Sequence, residues 1–168
     1  MTTVSLAREL FANVKEFANH VLDGLPDDAL TWRPDPDANT IAWLVWHTAR
    51  GQDSQIAHLG NHRQVWHEEG WAERFGLAPD DDGNGYGDTT EEVGRIPGDP
   101  VALRAYLEAV TDRTLRFLDD AADDDWDRIV DTRWDPPVTA RVRLASIVSD
   151  DLMHVGQAAY VRGLHERR

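Results

Sequence analysis

Two residues in the last third of the chain have the types and the spacing that suit metal binding. Asp150 and His154 are four residues apart in a segment that is otherwise apolar at helical intervals. An i, i+4 pair projects from one helical face about one turn apart, so both side chains can reach a single ion. Asp151 has a three-residue spacing to His154 that would also reach, although Asp150 is better placed.

A third donor is predicted on another helix. His47 ends the run Trp43-Leu44-Val45-Trp46-His47, on a face that should be buried. Two histidines and one carboxylate leave an open coordination position, which is typical of a catalytic zinc site or of a non-haem iron site. The alternative is that His47 and His154 are core histidines bonded to carbonyls, with Asp150 turned to solvent.

Four segments with a helical apolar period must position these residues. The first stripe stops at Gly24 and Pro26, and the other three segments begin at residues that favour helix N-caps. The predicted helices cover about residues 4–23, Thr40 to about Leu59, Asp99-Pro100 to about Asp120, and Thr139 to about Gly163. The sequence therefore predicts an all-α four-helix bundle that forms a single domain over residues 1–168.

The two long connections are predicted to be irregular. Leu25–Asn39 holds three prolines and four aspartates, a composition that cannot continue a helix. Residues 60–98, between the second and third long helices, contain an acidic run and four glycines from Gly83 to Gly94. A loop of this length in a compact domain is usually functional, which makes it a candidate lid over the site.

Part of this loop matches a calcium-binding pattern. Asp80–Glu91 fits D-x-[DN]-x-[DN]-G-x5-E at every specified position. Its context is poor, because Pro79 precedes it and Gly87 stands where a β-branched residue or leucine is usual. The favoured interpretation is an acidic surface loop in which Thr89 or Thr90 caps a short helix.

Composition excludes several classes of function. The chain has 168 residues, 17 Lys+Arg and 31 Asp+Glu, for a formal net charge of −14, so nucleic acid would be repelled. It has no cysteine, which excludes disulfides and any nucleophilic thiol of its own. No apolar run approaches the ~18 residues of a membrane span, and no export signal is apparent. We therefore expect a cytoplasmic protein without a membrane or nucleic-acid partner.

The motifs on the two ligand-bearing helices resemble those of the DinB-like superfamily. They are Trp43-Leu44-Val45-Trp46-His47, and Asp150-x-x-x-His154-Val155-Gly156-Gln157 with Arg162-Gly163. Members include bacillithiol and mycothiol S-transferases and mycothiol-dependent maleylpyruvate isomerase. The resemblance implies an up-down-down-up bundle, often a homodimer, with a divalent metal held by three side chains at one end.

By this resemblance, His47 matches the histidine ligand of the second long helix and His154 matches the last histidine of the fourth. Asp150 occupies a position that is histidine in many members and glutamate in the isomerase branch. Because aspartate is shorter than either, metal affinity or identity is expected to differ. Zinc is the expected metal, with nickel, iron and manganese as alternatives. Residues expected to orient the ligands or contact a substrate are Gln157, Arg162, His67, Trp43 and Trp46.

The resemblance and the lack of cysteine together suggest thiol chemistry with an external cosubstrate. A metal at His47, Asp150 and His154 would present the thiolate of a low-molecular-weight thiol, such as mycothiol, to a small electrophile. One alternative is hydrolysis by metal-activated water, with Asp151 as general base. Another is a non-catalytic bundle that only binds a metal or a small ligand.

Overall fold

The long helices begin where the sequence supplies capping residues. The computed structural model describes residues 3–168, with the backbone alone at residues 123 and 124. Thr40, Asp99 and Thr139 each accept hydrogen bonds from main-chain amides of the following helical turn, as predicted. In chain order the helices are α1 (Thr3–Leu22), α2 (Asp27–Thr31), α3 (Ile41–Gly60), α4 (Val65–Glu68), α5 (Trp71–Arg74), α6 (Thr90–Val93), α7 (Pro100–Asp120) and α8 (Ala140–His165).

The long helices α1, α3, α7 and α8 form the four-helix bundle that the sequence predicts. Helix α1 runs parallel to α8 and antiparallel to α7, and α3 runs antiparallel to α8, which gives the up-down-down-up order. Hydrogen bonds between the helices show these directions: Arg162 Nη1 to His20 O at 2.8 Å, Arg104 Nη1 to Asn19 Oδ1 at 3.1 Å, and Arg143 Nη1 to Gln55 Oε1 at 3.3 Å.

Helix α3 is the most deeply buried element of the bundle. It packs against both α7 and α8, and its buried positions lie on most of its circumference. Such a helix can direct side chains toward two neighbours at once. His47 points toward α8, whereas Asp53 reaches Tyr106 of α7.

The connections are less irregular than predicted. The prediction for residues 60–98 was wrong at α4 and α5, and the prediction for Leu25–Asn39 was wrong at α2, whereas α6 is the short helix predicted after Thr89 or Thr90. Four- and five-residue helices are too short to show a period, and distant contacts stabilise at least one of them. Both carboxylate oxygens of Asp53 accept the amides of Val65 and Trp66, at 2.9 and 2.8 Å, and so cap α4.

A small β-ribbon was also missed by the sequence analysis. Strands β1 (Ile129–Asp131) and β2 (Val138–Thr139) pair antiparallel, with Ile129 opposite Thr139. Their two- and three-residue lengths carry no alternating pattern that could be recognised. Among the described residues, none of the helices has the length and apolarity needed to cross a bilayer.

Candidate metal centre

The three predicted ligands meet between α3 and α8. One donor atom from each of His47, Asp150 and His154 lies within 4.8 Å of the other two. Around a tetrahedral zinc ion, with bonds of about 2.0–2.1 Å, ligand atoms lie about 3.4 Å apart. Small side-chain rotations are therefore enough to close the triad on one ion. The two imidazole rings are 4.6 Å apart between centroids and nearly perpendicular.

Lone pairs converge within this triad. His154 Nδ1 is 3.0 Å from Gln157 Oε1, so Nδ1 is the donor, and in the neutral ring Nε2 then carries the lone pair. Nε2 lies 3.5 Å from Asp150 Oδ1, which is also an acceptor. Two facing acceptors repel each other unless a proton or a metal ion lies between them. This arrangement fits a cation, and the bond between Gln157 and His154 is consistent with an orienting role for Gln157, which stays a prediction.

His47 is partly buried beneath an aromatic side chain and a loop. Its ring stacks on Trp43 with centroids 4.6 Å apart and planes 11° apart, and its Nδ1 hydrogen-bonds the main-chain carbonyl of Asn84. Burial is the largest cause that lowers the pKa of His47, and the neighbouring His154 lowers it further. The neutral imidazole favoured by this shift is the form that binds a metal.

Loop residues 82–88, called here the capping segment, cover the His47 side of the triad. Gly85 is buried with φ +92°, and a Cβ built on it would lie 2.6 Å from His47 Nδ1 and 3.0 Å from Trp43 Cζ2. Asp88 Oδ2 accepts the Trp43 indole N–H at 2.8 Å, which fixes the far end of the segment. The predicted lid is therefore packed onto one side of the site.

The opposite side of the triad is open. The Asp150 side chain is 42% exposed and that of His154 is 17% exposed. In α3, one turn after His47, Gly51 faces Asp150: a Cβ there would lie 4.0 Å from Asp150 Oδ2. The small residue at position 51 leaves room for the carboxylate beside the bundle.

Asp151 points away from solvent, unlike Asp150. It is 1% exposed, and its Oδ2 has no hydrogen-bond partner. Burial raises the pKa of Asp151 well above its usual value, and the charge of Asp150 raises it further. Asp151 as general base stays a prediction, and its burial limits the access of a substrate or water molecule to its carboxyl.

The buried carboxyl of Asp151 predicts a specific dependence of stability on pH. Since its folded-state pKa is raised, its favourable contribution exists below the unfolded-state pKa and is lost as pH rises toward the folded-state value. Asp151→Asn should therefore leave stability little changed near pH 4 and increase it at pH 8. The gain should grow by up to about 1.4 kcal/mol per pH unit in that window. Urea unfolding in the presence of EDTA measures it.

Asp112→Asn is the matched control, because Asp112 is an exposed aspartate on α7. It should leave the pH dependence of unfolding unchanged. An Asp151→Asn variant that loses stability equally at pH 4 and pH 8 would show that the buried carboxyl is not the source of the effect.

Two further predicted site residues, Trp46 and His67, lie beside the capping segment. Trp46 is buried, its indole N–H has no partner, and its ring would contact a Cβ at position 85. His67 pairs with Asp82 at 3.0 Å, at the opposite end of the capping segment from Asp88. Substrate contact by His67 stays a prediction.

Arg162 is engaged in helix capping. Its Nη1 donates to the carbonyls of His20, Val21 and Asp23 at 2.8–3.0 Å, and its Nε pairs with Glu166. These bonds satisfy carbonyls at the C-terminal end of α1, which lack helical partners. Arg162 also lines a cavity of about 820 Å³ between α1 and α8. Its predicted role in orienting a ligand is not supported by any contact with the triad.

The calcium-loop pattern has a structural explanation. Asp81 Oδ1 accepts the Gly83 amide, and Asn84 Oδ1 accepts the Tyr86 amide, so both side chains stabilise turns. Thr89 forms a capping box with Glu92 at the start of α6, as the favoured interpretation predicted. Among the described residues, the only group of three or more converging donors is His47, Asp150 and His154.

Sequence reasoning missed four residues that shape the site. Asn84 acts through its main-chain carbonyl, and Gly51 and Gly85 act through the space that they leave. Neither effect has a side-chain signature. Asp88 was considered only as part of the calcium pattern, and its bond to Trp43 joins residues 45 positions apart.

The fold and the site together define a class of protein: an up-down-down-up helical bundle with a candidate metal site between facing helices. The family model of the DinB superfamily matches residues 12–158. The chain therefore belongs to the DinB superfamily.

A solved structure supports this assignment over the whole chain. The crystal structure of a conserved protein from Enterococcus faecalis is similar to this one with a TM-score of 0.92 and 31% sequence identity. The match covers 100% of this chain and 99% of that one. No curated protein gives a significant match.

Proposed function

We propose that this protein binds a divalent metal ion at His47, Asp150 and His154 and uses it in the reaction of a small electrophile with an external thiol. The main support for this proposal is that three donors converge on a side of the bundle where the Asp150 side chain is 42% exposed. Structural zinc sites have four protein ligands and are closed, whereas three ligands and an open side are typical of catalytic sites. Zinc is the first metal to test, with nickel, iron and manganese as alternatives, because two histidines and one carboxylate occur both in catalytic zinc sites and in non-haem iron sites.

A bound ion would lower the pKa of a thiol or water molecule that coordinates it. The chain's own residues would prepare the site for this ion in three ways. Gln157 and the Asn84 carbonyl hold the two imidazole rings, and Asp150 contributes the negative charge. The capping segment shields the His47 side from water, so a cosubstrate would approach from the Asp150 side.

Thiol chemistry in this protein would require an external thiol, because the chain has no cysteine. The motif resemblance to thiol S-transferases supports the same chemistry, and mycothiol is the first cosubstrate to test. A cytoplasmic location, where such thiols are reduced, and a homodimer are parts of this proposal that need their own measurements.

Hydrolysis and simple ligand binding are less well supported. A base that assists hydrolysis must reach a water molecule on the ion, whereas Asp151 is only 1% exposed. A purely structural metal would be expected in a closed site, whereas Asp150 is open to solvent.

The proposed activity predicts thiol consumption that depends on the metal. The zinc-loaded protein is incubated with a fluorogenic bimane electrophile and with mycothiol, bacillithiol or glutathione in turn. With at least one of these thiols, it should form the conjugate about tenfold faster than the protein in EDTA, or more. The measurement is conjugate fluorescence over time, with the Asp150→Ala variant as a second control.

Two negative results have different meanings. Metal binding without acceleration by any thiol would reject the thiol reaction and leave the metal site intact. Equal rates for wild type and Asp150→Ala would show that any conjugation occurs away from the triad.

A further inference from the structure

The capping segment contacts His47 in a way that selects one form of its ring. A main-chain carbonyl only accepts hydrogen bonds, so the bond between His47 Nδ1 and Asn84 O requires the proton on Nδ1. In neutral imidazole the other nitrogen, Nε2, then carries the lone pair. Without a partner at Nδ1, both tautomers would be available.

Three independent contacts hold the segment against the ring. Arg50, which is 0% exposed, donates from Nε to Gly83 O at 3.0 Å and from Nη2 to Asp82 O at 3.2 Å. Trp43 holds Asp88 at the other end. Between them, Gly85 lies so close to the ring that no Cβ could be accommodated.

We infer that the capping segment is a positioning element for the metal site, which fixes His47 as the Nδ1-protonated tautomer so that Nε2 alone faces the ion. Asn84 supplies the acceptor, Gly85 allows the close approach, and Arg50 holds the main chain in place. The step from tautomer to metal affinity rests on the proposed function, whereas the tautomer itself does not require a metal.

The two histidine ligands would then be oriented in the same way, each by an acceptor at Nδ1. Gln157 holds His154 Nδ1 with a side-chain carbonyl, and Asn84 holds His47 Nδ1 with a main-chain carbonyl. Acceptors at the second ring nitrogen are a general feature of metal-bound histidines, and losing one costs about 10–100-fold in affinity. The Asn84 side chain does not accept from the ring, because its Oδ1 accepts the Tyr86 amide and stabilises a turn of the loop.

Gly85 and Gly87 provide a matched pair of variants for the test. Both have positive φ values, +92° and +81°, so alanine is strained at either position. A Cβ at position 85 would meet His47, whereas a Cβ at position 87 has nothing within 4 Å. A difference between Gly85→Ala and Gly87→Ala therefore reports contact with His47 and its neighbours Trp43 and Trp46, and not backbone strain.

The first measurement is the tautomer of His47 in the full-length, metal-free protein, from long-range ¹H–¹⁵N correlations of the imidazole rings. Wild type and Gly87→Ala should show His47 protonated on Nδ1, and Gly85→Ala should show a mixture. Wild-type His47 protonated on Nε2, or a tautomer unchanged in Gly85→Ala, would overturn the inference. If Gly85→Ala does not fold, Asp88→Ala, which releases the end of the segment held by Trp43, should show a mixture instead.

The second measurement is zinc affinity by competition with a chromophoric chelator. Gly85→Ala should bind zinc at least tenfold more weakly than wild type, and Gly87→Ala should stay within twofold. Equal affinities of Gly85→Ala and wild type would overturn the link between the segment and the metal. If wild type binds no metal at all, the proposed function fails, while the tautomer measurement still decides whether the segment sets the ring.

Discussion

His154→Ala is expected to abolish stoichiometric metal binding without unfolding the bundle. Its side chain supplies one of three converging donors and is 17% exposed, so its loss removes a ligand but little of the core. Loss of an outer-shell partner already costs about 10–100-fold in affinity, and loss of a ligand should exceed 100-fold. Elemental analysis of purified protein reconstituted with zinc should give about one ion per chain in wild type and none in the variant.

His58→Ala is the control for this experiment, because His58 is an exposed histidine on the same helix as His47. It should keep the metal content of wild type. Asp150→Ala should lose the ion, whereas Asp150→His, which keeps a metal-binding side chain at this position, should retain it. A wild-type protein without metal after reconstitution with zinc, nickel, iron and manganese would overturn the site, and so would retention in His154→Ala.

Arg50→Met is expected to destabilise the protein by about 3–5 kcal/mol, the usual cost of breaking a buried ion pair. Arg50 is fully buried, lies 3.8 Å from Asp53 and stacks 4.5 Å above the Trp66 ring. Methionine fills much of the same volume but leaves the carboxylate without its buried cation. Equilibrium unfolding in urea, followed by tryptophan fluorescence, gives the change in the free energy of unfolding.

Two further variants test the cause of this loss. Arg95→Met should cost less than about 0.5 kcal/mol, because Arg95 is 56% exposed and its ion pair among the described residues is with Glu91. Asp53→Asn should cost less in the Arg50→Met background than in wild type, because the ion pair that it breaks is already absent there, although in both backgrounds it loses an acceptor for the amides of Val65 and Trp66. A cost below 1 kcal/mol for Arg50→Met, similar to that of Arg95→Met, would show that the buried pair contributes little.

The long helices and the triad could be predicted because their signals are local. A helix period persists over twenty residues, and Thr40, Asp99 and Thr139 mark starts that the structure confirms. The i, i+4 spacing of Asp150 and His154 places them on one face whatever surrounds them. Because Asp150 and His154 interrupt an otherwise apolar face, the helix packed on that face is the expected source of a third metal ligand, and His47 lies on such a helix.

The surroundings of the triad could not be predicted because they depend on distant contacts. The Asn84 carbonyl meets His47 across 37 positions, and Asp53 caps α4 from a turn in the middle of α3. Asp150 and Asp151 differ in burial because α8 turns by about 100° between them. One spacing argument could favour Asp150 as a ligand, but only the packed bundle shows that Asp151 is enclosed.

The use of a main-chain carbonyl beside His47 affects how this site can change during evolution. A side-chain acceptor is lost by a single substitution at its own position, whereas the carbonyl of residue 84 persists with any amino acid there. Variation at position 84 should therefore keep the acceptor, although it would lose the turn that the Asn84 side chain stabilises, while the length of the loop and the small residue at Gly85 are constrained. In related sequences, insertions between the positions of Asp82 and Asp88 should be rarer than substitutions at the position of Asn84.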